Sequence, residues 1–380
     1  MFVPASIDLI KSIMIHDFEY FTDRLFHSHE YDPFSMHLLA LRGEQWKRIR
    51  SKLSPVFTPL KVKMIFPVVV DTANELVGTV RQHLKHTNVV EIHHTITNFT
   101  IDAITAISFG VNPETLKNGY SEFKKVAEKW FSESIRDSIV RLLMVTWPDL
   151  LTFFKVRSVH KDVANFFSKM ATDVIDYREK NDVIRQDLLQ FLLQIRRDKS
   201  LPLTVSEIIA QCIIFFIAGY ETTASVITFC LYELALDQKI QQKVREEAKN
   251  RGQLNYDVLQ RLPYLDKCIK ETSRKYPPLP VHFRVCTKDY KVPNTELIIE
   301  KGTAVIIPVS AVHYDSDFYK KPQEFNPERF SSNKKLQCVW SPFGDGPRMC
   351  LGGVPDWDVD VKVSGRFVSD EVQIYYQFQD

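Results

Sequence analysis

The sequence has no CxxC pair, no clustered cysteines, no Gly/Ser-rich linker, no low-complexity stretch and no internal repeat. Its six cysteines, Cys212, Cys230, Cys268, Cys286, Cys338 and Cys350, are scattered, which excludes a zinc ribbon and outlines no disulfide framework; free thiols in a reducing compartment are expected. With no linker to divide its 380 residues, one large domain is a simpler reading than two or three. An excess of either charge is also missing. The balance of 49 basic against 47 acidic residues leaves a net charge of +2, so composition argues neither for nucleic acid nor for an acidic polymer as partner. Nor is there an apolar run at the start. Asp8, Lys11, His16 and Asp17 interrupt the opening stretch, so no signal peptide and no membrane anchor of the chain's own is expected there. Twelve glycines are few for an all-β protein of this size, while 44% hydrophobic content with 26 phenylalanines can fill a large core. The fold class expected is mainly α with a minor β part.

Much of the chain carries helical spacing. Val159, Val163, Phe166, Phe167, Met170, Val174 and Ile175 recur at three and four residues, as do Leu188, Leu189, Leu192 and Leu193, and both stripes read as core. His93 and His94 sit at a helix start, where capping or solvent contact is the expected role. Thr204 and Glu207 form a capping box ahead of a helical run to about Leu236. That run is apolar enough to cross a bilayer, but Glu221 in its middle would be costly in lipid, and a buried central helix is the better reading. Further on, the segment 281–309 alternates and has turn residues at Pro293-Asn294 and Lys301-Gly302, which predicts a small antiparallel sheet.

Three spacings have chemistry as well as structure to offer. Trp46 and Arg50 lie four apart on a short helix closed by Ser54-Pro55; alone they read as a surface helix with a half-buried Trp. Glu271 and Arg274 lie three apart, and alone they read as an exposed ion pair. Ala218-Gly219-Tyr220-Glu221-Thr222 combines small residues that admit a ligand to the backbone with an acid and an alcohol that can relay protons.

The strongest signal is the run Phe343 to Gly352, FGDGPRMCLG. A metal-ligating thiolate must be kept deprotonated, which favours nearby backbone N–H groups, a cation and little bulk. Gly344 and Gly346 let the backbone turn closely, Pro347 stiffens it, Arg348 supplies the charge and Gly352 leaves room beside Cys350. The pattern FxxGxRxCxG fixes five residue types in ten positions. A chain of this length matches it by chance about once in ten thousand.

This run resembles the haem-binding loop of cytochromes P450, and the other spacings occur in that family's order. The resemblance implies that Cys350 is the fifth ligand of a b-type haem, with Trp46, Arg50, Arg284 and Arg348 on the propionates and Ala218, Gly219, Phe343 and Gly352 beside the ring. It further implies Thr222 as hydrogen-bond partner of dioxygen and Glu221 in proton delivery. Phe215, Phe216, Val281, His282 and Phe283 would border the substrate. Glu271 and Arg274, with Arg329 from the run Pro327-Glu328-Arg329-Phe330, are assigned to a structural lock. The activity implied is oxygen insertion from O2 into a small apolar compound, xenobiotic or lipid-like, on the cytosolic face of the endoplasmic reticulum membrane. Electrons would come from NADPH through a cytochrome P450 reductase, for which Lys47, Arg48 and Lys52 offer a basic patch. Phrases such as FTDR, KLSPVFT and FNPERF look most like insect microsomal members.

After Gly352 the sequence leaves the family pattern. Where a long helix is usual, Pro355 and the alternation Asp358-Val359-Asp360-Val361-Lys362-Val363 predict strand-like structure, with six acids against two bases from Val354 on. The organisation expected is therefore a partial domain over 1–352 and a divergent tail over 353–380. A second functional reading follows from that tail: a non-catalytic chain with weak or no haem binding.

Overall fold

A computed structural model describes residues 1–353 apart from 88, 133, 198–202, 251–254 and 333–336. The expectation of a strand-like tail falls outside the described residues. Helices dominate. In chain order they are α1 (Ile7–Lys11), α2 (Gly43–Leu53), α3 (Pro59–Leu84), α4 (Ile92–Phe109), α5 (Thr115–Asn118), α6 (Glu122–Phe131), α7 (Ile135–Thr146) and α8 (Pro148–Phe153). They continue with α9 (Lys161–Lys180), α10 (Leu188–Arg197), α11 (Val205–Leu236), α12 (Gln238–Lys249), α13 (Tyr256–Leu259), α14 (Pro263–Lys275) and α15 (Val309–His313).

The 32-residue α11 runs through the centre. Its start is the capping box read from the sequence: the Glu207 N–H donates to Thr204 Oγ1 at 3.1 Å and the Thr204 N–H donates to Glu207 Oε2 at 2.8 Å. Although long and apolar enough to cross a membrane, it packs most extensively on α4 and also meets α9, α10, α12 and α14. Gly219 makes the α4 contact possible, because a Cβ there would lie 2.6 Å from Ile104 Cδ1. The 3-4 stripes behave as read: Val163, Phe167, Met170 and Ile175 of α9 and Leu188, Leu189, Leu192 and Leu193 of α10 are all buried in one cluster with α11. A second cluster joins α3, α4, α14 and the C-terminal half of α11.

Two small antiparallel sheets form where alternation predicted them. Strand β1 (His282–Val285) pairs with β4 (Ala304–Ile307), and β2 (Tyr290–Lys291) pairs with β3 (Ile298–Ile299). Asn294 and Gly302 take the left-handed backbone that their turns require. Phe2 bridges to Val305, so the N-terminal segment closes this unit, and Ile10, Ile13, Met14 and Phe21 fill the space beneath it. At the helix start near His93, Glu91 is the cap, accepting from the His94 N–H. The histidines do not cap it.

Candidate active site

The Cys350 loop is a tight backbone form around one 3₁₀ turn, Gly346–Arg348. The Cys350 N–H donates to the Phe343 carbonyl at 2.8 Å, Met349 N–H to Gly346 at 3.0 Å and Gly344 N–H to Ser341 at 3.0 Å. Gly346, at φ +71°, allows no side chain: a Cβ would lie 2.0 Å from the Met14 carbonyl oxygen. Cys350 is exposed and the other five cysteines are buried. Burial pushes the thiols of Cys212 and Cys338 up to about 12 and that of Cys230 to about 11. Those sulfurs are held protonated by their surroundings, which leaves Cys350 as the accessible donor.

Around this loop four arginines converge without acids to match them. Arg24 Nη2 donates to the Arg348 carbonyl at 2.5 Å and Arg50 Nη1 to the Met349 carbonyl at 2.7 Å. Arg348 lies over the Trp46 ring, its Cζ 4.1 Å from the ring centre, and donates to the carbonyls of Thr22 and Leu41. Arg284 is buried, with Nη1 on the Phe283 carbonyl and Nε lacking any partner. Burial lowers all four guanidinium groups, to about 10 for Arg24, about 9 for Arg284 and about 8 for Arg348; repulsion by neighbouring arginines adds to this at Arg24, Arg284 and Arg348. Asp23, 4.0 Å from Arg348, is the acid within ion-pair range among the described residues. Buried charge in this excess is costly unless an anion joins it. A flat apolar group carrying two carboxylates supplies that anion, so the residues present fit a haem.

Trp46 is buried here, not half-buried as a surface helix would leave it. Phe18 packs against it, at 5.7 Å between ring centres. Arg48 faces away and pairs with Glu207, which corrects its place in the basic patch. Lys47 pairs with the exposed Glu44.

On α11 an open stripe interrupts the buried surface. Ala218 is exposed in mid-helix, Thr222 and Ser225 are half-buried and Phe229 is exposed, at spacings of four, three and four that share one face. Thr222 Oγ1 donates to the Ala218 carbonyl at 2.7 Å, a bond of the kind that bends helices. Glu221 beside it is half-buried. Phe215 stacks on Phe57 at 5.5 Å and borders a cavity of about 110 Å³ between α3, α4 and α10. Phe216 is fully buried among Phe123, Phe167 and Tyr220. Val281, just before β1, and Phe283, within it, are half-buried, and the His282 ring meets the Ser341 carbonyl at 2.9 Å. Gly352 is exposed, and Phe343 packs against Trp340 and so closely on Gly353 that a Cβ there would collide with its ring.

The pair Glu271–Arg274 is fully buried, so the exposed ion pair read from spacing alone does not exist. Glu271 accepts two bonds from Arg274, at 2.7 and 3.0 Å, one from Arg329 Nε at 3.1 Å and one from the Asn326 N–H at 2.9 Å. Arg274 spends its remaining donors on the carbonyls of His313 and Pro322. Every guanidinium nitrogen of Arg274 and Arg329 has a partner here.

Two residues escaped sequence reasoning. Arg24 sits in the FTDR phrase, but a single loop arginine has no spacing to mark it. His313 ends α15 with both ring nitrogens engaged, a role that only tertiary contacts reveal.

The cytochrome P450 family model matches residues 1–354. The chain belongs to the cytochrome P450 family. Probable cytochrome P450 6a14 of Drosophila melanogaster is 36% identical over 374 residues, covering 92% of this chain and 74% of that protein. Cytochrome P450 6a2 of the same organism is 36% identical, covering 90% and 72%. Cytochrome P450 6A1 of Musca domestica is 34% identical, covering 92% and 73%. As a P450 the chain is an oxidoreductase, a monooxygenase working with haem iron, O2 and a redox partner. The reading as a non-catalytic chain is not favoured, since the match runs through the cysteine loop.

Proposed function

We propose that the protein is a haem b monooxygenase that inserts one atom of O2 into a small apolar compound and draws electrons from NADPH through a reductase. The observation that carries this reading is the uncompensated arginine group around the single accessible cysteine. Cys350 would hold the iron; Arg24, Arg50, Arg284, Arg348 and Trp46 would hold the propionates. Bound haem supplies the oxygen-activating centre. Ala218 leaves the open face of mid-α11 without bulk, while Gly219 is turned to Ile104 of α4, and the open stripe gives an apolar substrate a surface to lie against.

Thr222 keeps its oxygen lone pairs free while its hydrogen is on the Ala218 carbonyl, so it can accept a proton or turn to give one. Glu221, half-buried next to it, can exchange protons with water. For the reductase, the exposed Lys47 and the half-buried Lys52 remain as cations on α2 once Arg48 is committed to Glu207. A setting at the endoplasmic reticulum membrane is supported by apolar side chains on α7, α8 and the segment after them: Ile135, Ile139, Leu142, Trp147, Phe153 and Phe154 are all exposed.

The test is Cys350→Ser. The ferrous–CO complex of the native protein should show the red-shifted Soret band of thiolate ligation, and the variant should lose it entirely, since an alkoxide is not available at neutral pH. A variant that keeps the band would remove Cys350 from the role.

A further inference from the structure

Ser341, nine residues before Cys350, is gripped at both ends of its backbone by buried histidines. Its N–H donates to His313 Nε2 at 3.1 Å, and its carbonyl accepts from His282 Nε2 at 2.9 Å as well as from the Gly344 N–H. The flanking residues are tied too. The Tyr319 hydroxyl donates to the Val339 carbonyl at 3.1 Å, and Trp340 Nε1 donates to the Lys270 carbonyl of α14 at 3.1 Å. Three consecutive residues are thus held by side chains from α15, β1 and the Tyr319 turn and by a backbone carbonyl of α14.

His313 differs from the other three ties in having both nitrogens engaged, with one tautomer dictated. The Arg274 carbonyl, 2.9 Å from Nδ1, can only accept, so Nδ1 carries the proton; the Ser341 N–H can only donate, so Nε2 stays bare. Arg274 returns the contact by donating from Nη1 to the His313 carbonyl at 2.9 Å. A neutral ring is needed for this, and burial pushes His313 down to about 4. The ring therefore joins the closed Glu271–Arg274–Arg329 group to the strand of backbone that leads into Phe343, whose carbonyl holds the Cys350 N–H.

We infer that His313 is a positioning residue for the Cys350 loop: it transmits the rigidity of the buried Glu271–Arg274 pair to the sulfur ligand through Ser341. It touches neither substrate nor cofactor, and it acts through the loop alone. The inference rests on the proposed ligand role of Cys350.

The test uses the full chain with three measurements. Amide exchange over residues 337–350, which is read with or without haem, should quicken about tenfold or more in His313→Leu, as expected when a buried N–H loses its acceptor, while exchange over α14 stays the same. In the haem-loaded fraction, the thiolate-type ferrous–CO band should give way in part to the form without thiolate. Haem retention should fall in parallel. Tyr319→Phe, which removes one hydroxyl and little else, should show the same signature more weakly and serves if His313→Leu does not fold. His313→Gln, whose amide both donates and accepts, should recover part of the loop protection.

Unchanged loop exchange in both His313→Leu and Tyr319→Phe would overturn the inference. So would a rise that spreads equally to α14, because that is loss of packing and not of positioning. Failure of the underlying reading looks different: Cys350→Ser would then leave the native CO spectrum intact, whatever the His313 variants do to exchange.

Discussion

The protein buries two groups of arginines and satisfies them in opposite ways. Arg274 and Arg329 share Glu271 and donate also to backbone carbonyls, so each of their guanidinium nitrogens finds its partner within the chain. Arg24, Arg50, Arg284 and Arg348 are buried or half-buried with one acid at 4.0 Å, and the Arg284 Nε is left bare. A closed group tells of architecture; an open one tells of something that must arrive. The fold places the two within one connected unit, with the closed group reaching the Cys350 loop through His313.

The largest effect should come from opening the closed group. Arg274→Met leaves Glu271 buried with fewer donors, and loss of about 3–5 kcal/mol is expected, enough to consume much of a typical domain's stability. Chemical denaturation of the variant should give a sharply lower midpoint or no folded baseline.

Arg284→Met should break the symmetry of that result. Deleting one of several repelling cations should raise the stability of the haem-free protein by about 1 kcal/mol, and lower haem retention by roughly tenfold through loss of a charge-assisted contact. Thermal unfolding without haem, paired with transfer of haem to a scavenging apoglobin, reads the two signs separately. A destabilised haem-free variant would show that the arginine group is closed after all.

Acid sharpens the contrast further. Burial lowers His37, His282 and His313 to about 4, below the unfolded value near 6.5, so the folded chain prefers them neutral. Between those two values the unfolded state binds more protons. Stability contributed by neutral burial is therefore complete above about pH 6.5 and falls as pH drops toward 4, by about 1.4 kcal/mol per unit for each histidine. Denaturation midpoints across that range should slope accordingly, and His313→Leu should flatten the slope by about a third.

Smallest in stability, though not in chemistry, is Thr222→Ala. Its surface hydroxyl costs little to remove, while NADPH consumption should become partly uncoupled from product and peroxide release should rise. Unchanged coupling would assign Thr222 to its bond with Ala218 alone.

What could be read from sequence was local. The capping box at Thr204 and Glu207, the 3-4 stripes of α9 and α10 and the turn at Asn294 are all decided within a few residues, and all three form as read. Glu271 and Arg274 showed their spacing but not their burial, since burial depends on His313, Pro322 and Asn326 arriving from 39 to 55 residues away. Arg24 was in view as a letter and invisible as a partner. Phe216 belongs to an apolar run in which any side could face the core, and only packing against Phe123 and Phe167 decides which does.

Gly346 meets the Met14 carbonyl too closely to carry a side chain, although the two lie more than three hundred residues apart in the chain. This contact sets an order in time. During synthesis at about 5–20 residues per second, the segment around Met14 waits on the order of 20–60 s before its counterpart leaves the ribosome. Helices such as α4 and α9 can coil as they emerge, but the cysteine loop has a seat only if the opening residues are still free to receive it. Seating of the cysteine loop therefore waits until both segments have been made, and the early apolar residues Ile10, Ile13 and Met14 must be kept from other partners until then.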